Sequence, residues 1–153
     1  MEKTNVMSIL DQNKIKYTPH YYDNTFTNGM EVANTLNLDP NKVFKTLVTV
    51  GASKRNYVFV VPVNSELDLK KAAQIVNEKS IEMIKSKELL DLTGYIHGGC
   101  SPIGMKKPFR TVMNKSALDY ELVTFSAGRI GFQVEMNPMD LKKLINISYE
   151  EII

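Results

Sequence analysis

The chain has 153 residues, 43% hydrophobic and 24% charged, with 8 glycines, 6 prolines, 1 cysteine and no tryptophan. That is the composition of a globular domain able to bury roughly 70% of its unfolded surface without disulfides or a structural metal. With 19 Lys plus Arg against 17 Asp plus Glu, the net charge of +2 excludes a nucleic-acid binder driven by bulk charge, so any such role rests on local patches.

Thr4 caps a first helix over Asn5 to Gln12, where Val6, Ile9 and Leu10 recur at helical spacing. Tyr17 to Tyr22 reads as a strand. Asn28 with Glu31 three residues on resembles a capping box for a helix through Leu36, and Asp39-Pro40 starts a short turn. The β-rich runs Val43 to Val50 and Asn56 to Val63, separated by Gly51 to Arg55, suit a hairpin. Asp68 caps a helix through Val76, Ile81 to Ile84 reads as a strand, and Ser86 to Leu92 as a helix stopped at Gly94. A glycine-rich loop from Gly98 to Gly104 precedes strands at Phe109 to Met113, Leu122 to Ser126 and Ile130 to Met136, after which Asn137-Pro138 opens a last helix. No linker or repeat divides the chain, so residues 1–153 read as one domain. About seven strands and four or five short helices, with hairpins rather than regular alternation, indicate α+β: a mixed, partly barrel-like sheet with surrounding short helices.

Lys45 is the most informative single residue. Strand alternation puts it with Val43, Leu47 and Thr49 on one face and Phe44, Thr46, Val48 and Val50 on the other, both mostly apolar. Its ammonium is either a strand-end group snorkelling to water or a pocket group that binds a carboxylate, a phosphate or a developing oxyanion. The loop Gly98-Gly99-Cys100-Ser101-Pro102-Ile103-Gly104 is either a tight turn or a place where backbone approaches a ligand; it is neither a P-loop nor a dinucleotide fingerprint. Cys100 and His97 do not make a convincing thiol nucleophile, because the imidazole has no evident partner. One Cys and two His argue against a metal site. Gln133 and Glu135 share the strand face opposite Ile130, Phe132, Val134 and Met136, a pattern that by itself expects solvent around them. Most lysine and arginine pairs read as solvated surface, but Lys106 and Lys107 follow the glycine loop directly and are placed to touch substrate phosphates.

Val43-Phe44-Lys45-Thr46-Leu47-Val48, Val61-Pro62-Val63 with Leu67-Asp68-Leu69-Lys70-Lys71, Thr93-Gly94-Tyr95, the Gly98 to Gly104 loop and Ser126-Ala127-Gly128 together resemble the YbaK/EbsC family, in family order over nearly the whole chain. The resemblance implies a trans-editing enzyme that hydrolyses mischarged aminoacyl-tRNA, typically Cys-tRNA(Pro), on a mixed sheet closed towards a barrel. It implies that Lys45 holds the aminoacyl end near the terminal adenosine, and that Gly98, Gly99 and Ser101 bring the loop to the ester and ribose. Pro102, Ile103 and Gly104 continue that substrate-binding loop, with Ser126 and Gly128 beside it. Tyr22 lies in the strand that presents a functional tyrosine in relatives, although Tyr21 leaves the register open. Asn28 and Gln133 depart from the family, some members having an aromatic and an aspartate there. Cys100 occupies a position the family fills variously, and the attacking group is thought to come from the substrate.

The function expected on these grounds is substrate-assisted deacylation of Cys-tRNA(Pro), with no metal or other cofactor. Alternatives are a deacylase for another mischarged small amino acid, alanine or serine, or a non-catalytic tRNA- or protein-binding module of the same fold. Mischarged tRNA(Pro) and prolyl-tRNA synthetase are the implied partners. Met1 to Leu10 lack the apolar core of a signal peptide, and no apolar run approaches the ~20 residues that span a bilayer, so no membrane association is expected and the cytoplasm is the expected compartment.

Overall fold

The computed structural model describes residues 2–153. The local signals are realised closely. Helix α1 spans Asn5–Gln12 with the Thr4 hydroxyl accepting from the Met7 N–H, and α2 spans Gly29–Thr35 with the Asn28 side-chain carbonyl accepting from the N–H groups of Met30 and Glu31. Helix α3, Leu69–Val76, is capped by Asp68, and α4, Ser86–Thr93, ends at Gly94 in the left-handed conformation. The last helix differs from expectation in kind: Asn137 caps it, but Pro138–Lys143 winds as a 3-10 helix.

Eight strands form among the described residues where about seven are expected. Strands β1 (Thr18–Tyr21), β6 (Val123–Ser126) and β7 (Phe132–Met136) make a three-stranded antiparallel sheet in the order β1-β7-β6. Strands β2 (Phe44–Gly51), β3 (Asn56–Pro62), β4 (Ile81–Met83), β5 (Arg110–Asn114) and β8 (Ile147–Glu150) make the second sheet, ordered β4-β2-β3-β5-β8. β8 is the unanticipated one. It has only four half-buried residues and exists by pairing parallel with β5. The barrel-like character is partial: a parallel bridge from Val43 to Thr124 joins the sheets at one seam, and they remain two separate ladders elsewhere.

The burial of β3 explains this arrangement. It lies between β2 and β5, and Tyr57 to Pro62 are all buried, so its two faces serve two cores. Val58 and Val60 face the main core between the sheets, with Phe44, Val48, Phe125, Val134 and the α1 residues Val6 and Leu10. Tyr57, Phe59 and Val61 face a second core closed by Ala72, Ala73 and Val76 of α3. Phe59 and Phe125 are fully buried, and truncating either to alanine costs about 3–5 kcal/mol. No helix among the described residues is long and apolar enough to cross a membrane.

Candidate active site

Where β2 leaves the seam between the sheets, it opens into a cleft of about 540 Å³. Its walls come chiefly from the α2 cap (Thr27 to Met30), Val43 with the first residues of β2 (Phe44 to Leu47), the loop residues His97, Gly98 and Cys100, and the β6–β7 pair through Ser126 and Gln133, with Tyr22, Val63, Glu66 and Leu89 completing the lining. Two glycines make the approach possible. A Cβ on Gly29 would lie 2.5 Å from Val63 Cγ1, and one on Gly98, whose φ is +87°, would lie 2.9 Å from Thr27 Cβ. Thus α2 rests directly on the end of β3, and the glycine loop rests on the start of α2.

Lys45 enters this cleft with its side chain 29% exposed, Nζ standing 3.7 Å from Glu66 Oε1. Glu66 is itself 94% exposed, and an ion pair so wet and so long contributes little, so the ammonium remains available to a bound anion or carbonyl. Lys45 therefore lines the cleft, with its ammonium at the wet side of it. On the next residue of β2, the Thr46 hydroxyl is buried without a hydrogen-bond partner. Gln133 is also buried, contrary to the exposure its alternation suggests, because β7 is the middle strand of its sheet and that face looks into the cleft. Gln133 Nε2 lies 3.5 Å from the Tyr22 hydroxyl, while its Oε1 has no partner. Three buried side-chain oxygens lack partners among the described residues, and two of them, on Thr46 and Gln133, belong to residues lining this cleft. Leaving such an atom unpaired costs about 1–3 kcal/mol, so the residues lining this cleft carry two such costs.

The tyrosine register is resolved by packing. Tyr21 stacks edge-on against Phe132, 5.4 Å between ring centroids, while Tyr22 lines the cleft. Asn28 also lines it, but its carbonyl oxygen is occupied by the helix cap, 2.8 Å from the Met30 nitrogen, which leaves its NH2 for a ligand. Ser126 presents a hydroxyl that accepts from the Gly128 N–H at 3.1 Å.

The glycine loop divides between two environments. Gly98 and Cys100 line the cleft, whereas Pro102, Ile103, Gly104 and Lys107 line a second cavity on the other side. Ser101 between them is fully buried, its hydroxyl oxygen accepting from the Ile103 N–H at 3.3 Å, and it lines neither. Gly99 is buried with its N–H bonded to the Ile96 carbonyl. Gly128, at φ +95°, and Gly104, at φ +78°, both pack against Tyr95, whose hydroxyl donates to the Ile103 carbonyl. Tyr95 thus clamps the loop to the β6–β7 turn. The stem of Lys106 lies over Gly94. Burial pushes the Cys100 thiol up to about 12, so no thiolate is available near neutrality even though the residue lines the cleft. No three His, Cys, Asp or Glu side chains among the described residues converge as metal ligands.

The cleft is thus framed by a strand lysine, a glycine loop and a helix cap. Comparison with known proteins gives that geometry a family. The model of the aminoacyl-tRNA editing domain matches residues 24–144. The chain belongs to the aminoacyl-tRNA editing domain family. It is 41% identical, over 99% of its length and 93% of the relative's, to a protein of Enterococcus faecalis named as a candidate Cys-tRNA(Pro)/Cys-tRNA(Cys) deacylase, EbsC. A crystal structure of a candidate trans-editing enzyme for prolyl tRNA synthetase superposes with a TM-score of 0.83 at 23% identity, covering 96% of this chain and 93% of that one. Another, of a protein described only as hypothetical, gives 0.89 at 18% identity, covering 97% and 99%. These two likenesses establish the fold alone. The activity that accompanies family membership is hydrolysis of aminoacyl-tRNA esters.

In this editing domain, sequence reasoning found Lys45, Tyr22, Asn28, Gly98, Ser126 and Gln133, all of which reach the one cleft. It passed over Thr46, Glu66 and the cleft position of His97. Thr46 carries a signal in hindsight, a hydroxyl beside the lysine on an otherwise apolar strand, whereas nothing local marks Glu66.

Proposed function

We propose that this editing domain deacylates mischarged Cys-tRNA(Pro), the aminoacyl end entering the cleft beside Lys45 and the attacking group coming from the substrate. The observation that carries the reading is the pairing of an available ammonium with a cleft whose only thiol is held protonated. In the reaction, the substrate's own thiol attacks the ester carbonyl, or a ribose hydroxyl assists a water in doing so. Negative charge gathers on the carbonyl oxygen, the C–O bond to the ribose breaks as the nucleophile's proton passes to the departing ribose oxygen, and water then opens the thiolactone that the thiol route leaves. Lys45 supplies positive charge to that region. The Gly99 N–H is already committed to Ile96, which leaves Gly98 and Cys100, the loop residues lining the cleft, to offer main-chain donors. Gln133 Oε1 accepts a donor from the substrate, either its α-ammonium or a ribose hydroxyl, and the Thr46 hydroxyl is a second such acceptor, both groups being neutral. Holding the groups in line supplies the larger share of the rate, since an aminoacyl ester is already activated.

The E. faecalis relative's name supports cysteine as the amino acid, and prolyl-tRNA synthetase is the partner that would deliver the tRNA. A pocket for one small side chain discriminates poorly against a neighbour one heavy atom away, so the test compares substrates directly. Purified protein is given Cys-tRNA(Pro), Ala-tRNA(Pro), Ser-tRNA and Pro-tRNA(Pro), and release of the labelled amino acid is followed with and without prolyl-tRNA synthetase. Fastest release of cysteine, lost in Lys45→Ala, is the expected result. Preference for alanine or serine would move the assignment to that amino acid, and activity in Lys45→Ala equal to the native chain would remove the lysine from the mechanism.

A further inference from the structure

The second cavity, about 680 Å³, lies across the glycine loop from the cleft and has a different character. Its floor is apolar and comes from Ile9, Ile103, Phe109 and Leu144, while Lys107, Lys142 and Lys143 stand exposed around it. The cavity sits where β5 and β8 begin side by side, Phe109 just before one and Asn146 just before the other. Lys143 is held by Asp140 at 3.0 Å, and Lys142 lies over the Tyr149 ring at 5.5 Å, so one lysine is charge-compensated and two are not. None of the unpartnered buried oxygens belongs to a residue lining this cavity.

We propose that this groove takes the single-stranded 3′ segment of the tRNA just before the aminoacylated end, with its phosphates on Lys107 and Lys142 and a base against Phe109. The inference rests on the deacylase reading for the direction of the strand. Its own support is spatial and chemical. Cys100 lines the cleft and Pro102 lines the groove, and two residue steps span at most about 7 Å, so only the thickness of this loop separates the two cavities and a strand ending in the cleft needs to cross no more than that to reach the groove. Exposed lysines around an apolar floor provide charge without fixed orientation and a surface for stacking, the combination that holds single-stranded nucleic acid without reading its sequence. A buried, hydrogen-bonded anion site would look different, because its charges would be fixed by partners. The small net charge of the whole chain makes such a local patch the means by which it would hold RNA at all.

The test is binding of uncharged tRNA, followed by fluorescence anisotropy across about 50 to 200 mM salt, which does not require any ester to be cleaved. The double variant Lys107→Gln/Lys142→Gln is compared with Lys79→Gln/Lys85→Gln, whose exposed lysines flank β4 at the opposite edge of the sheet. The groove variant is expected to bind more weakly at low salt and to lower the log–log salt slope by roughly 1.4, about 0.7 for each lost contact to a single strand, with the control near native. Removing the single-stranded 3′ end from the tRNA should abolish the difference between native and groove variant. An unchanged slope, an equal loss in the control, or a lysine effect that persists on the truncated tRNA overturns the proposal. Deacylation is measured separately: if the native chain releases no amino acid from any aminoacyl-tRNA while the slope shift stands, the groove is supported and the deacylase reading falls.

Discussion

On one side of the Gly98–Gly104 loop lies a cleft with a single half-buried lysine and two buried oxygens that lack partners; on the other lies a groove with three exposed lysines and no unpaired buried oxygen among its lining residues. The difference follows from what each surface can do at its own depth. Buried, unpaired polar atoms cost stability and act only through fixed geometry, so they suit a site that orients a reacting group. Exposed ammonium groups cost almost nothing and act through charge at a distance, so they suit affinity. Changes in the cleft should therefore appear in kcat, and changes in the groove in KM and salt dependence.

The sharpest way to break that contrast is Lys45→Ala. Deacylation is expected to lose about 100- to 1000-fold in kcat, the range for removing one charge-stabilising group, while Tm stays close to native. A loss confined to KM would place Lys45 with the groove lysines instead. Thr46→Val is next. Replacing the unpaired hydroxyl by a methyl of similar size should raise stability in urea by about 1 kcal/mol and lower kcat/KM roughly tenfold, a trade that only a functional hydroxyl would show. Gly98→Ala should cost about 1–2 kcal/mol in stability through its positive φ alone, with more from the approach to Thr27, and should slow turnover as the loop withdraws from the α2 cap. Native stability in that variant would mean the loop does not need its close approach. The smallest effect is expected at Cys100. With the thiol pushed up to about 12 it stays protonated through the neutral range, so Cys100→Ala should leave kcat within about twofold and the pH–rate profile between about pH 6 and 9 unaltered. A rising limb in the native profile that disappears in Cys100→Ala would reinstate the thiol as a nucleophile.

Much of the fold was legible because its signals are local. Thr4, Asn28, Asp39, Asp68 and Asn137 each accept from a backbone N–H two or three residues on, and that chemistry needs no distant partner. The long, apolar β2–β3 hairpin is equally plain, since its strands pair with each other from Phe44 and Pro62 to Val50 and Asn56. β8 was not legible, because four half-buried residues become a strand only when β5 is already in place beside them. The burial of Gln133 was hidden for a related reason. Alternation assigns it to a face, but whether a face meets water or a cleft depends on what lies across from it.

The family motifs, the lysine on an apolar strand, the glycine loop, and the side-chain caps of α1, α2 and α3 are properties of the sequence by itself, because each depends on residue types within a few positions of one another. Tertiary structure alone decided that Gln133 comes within reach of Tyr22 across 111 residues, that Thr46 loses its partner, and that one seven-residue loop serves two cavities. Those outcomes depend on which surfaces meet when two sheets join along one seam, and in this chain the groups that meet there are separated by most of its length.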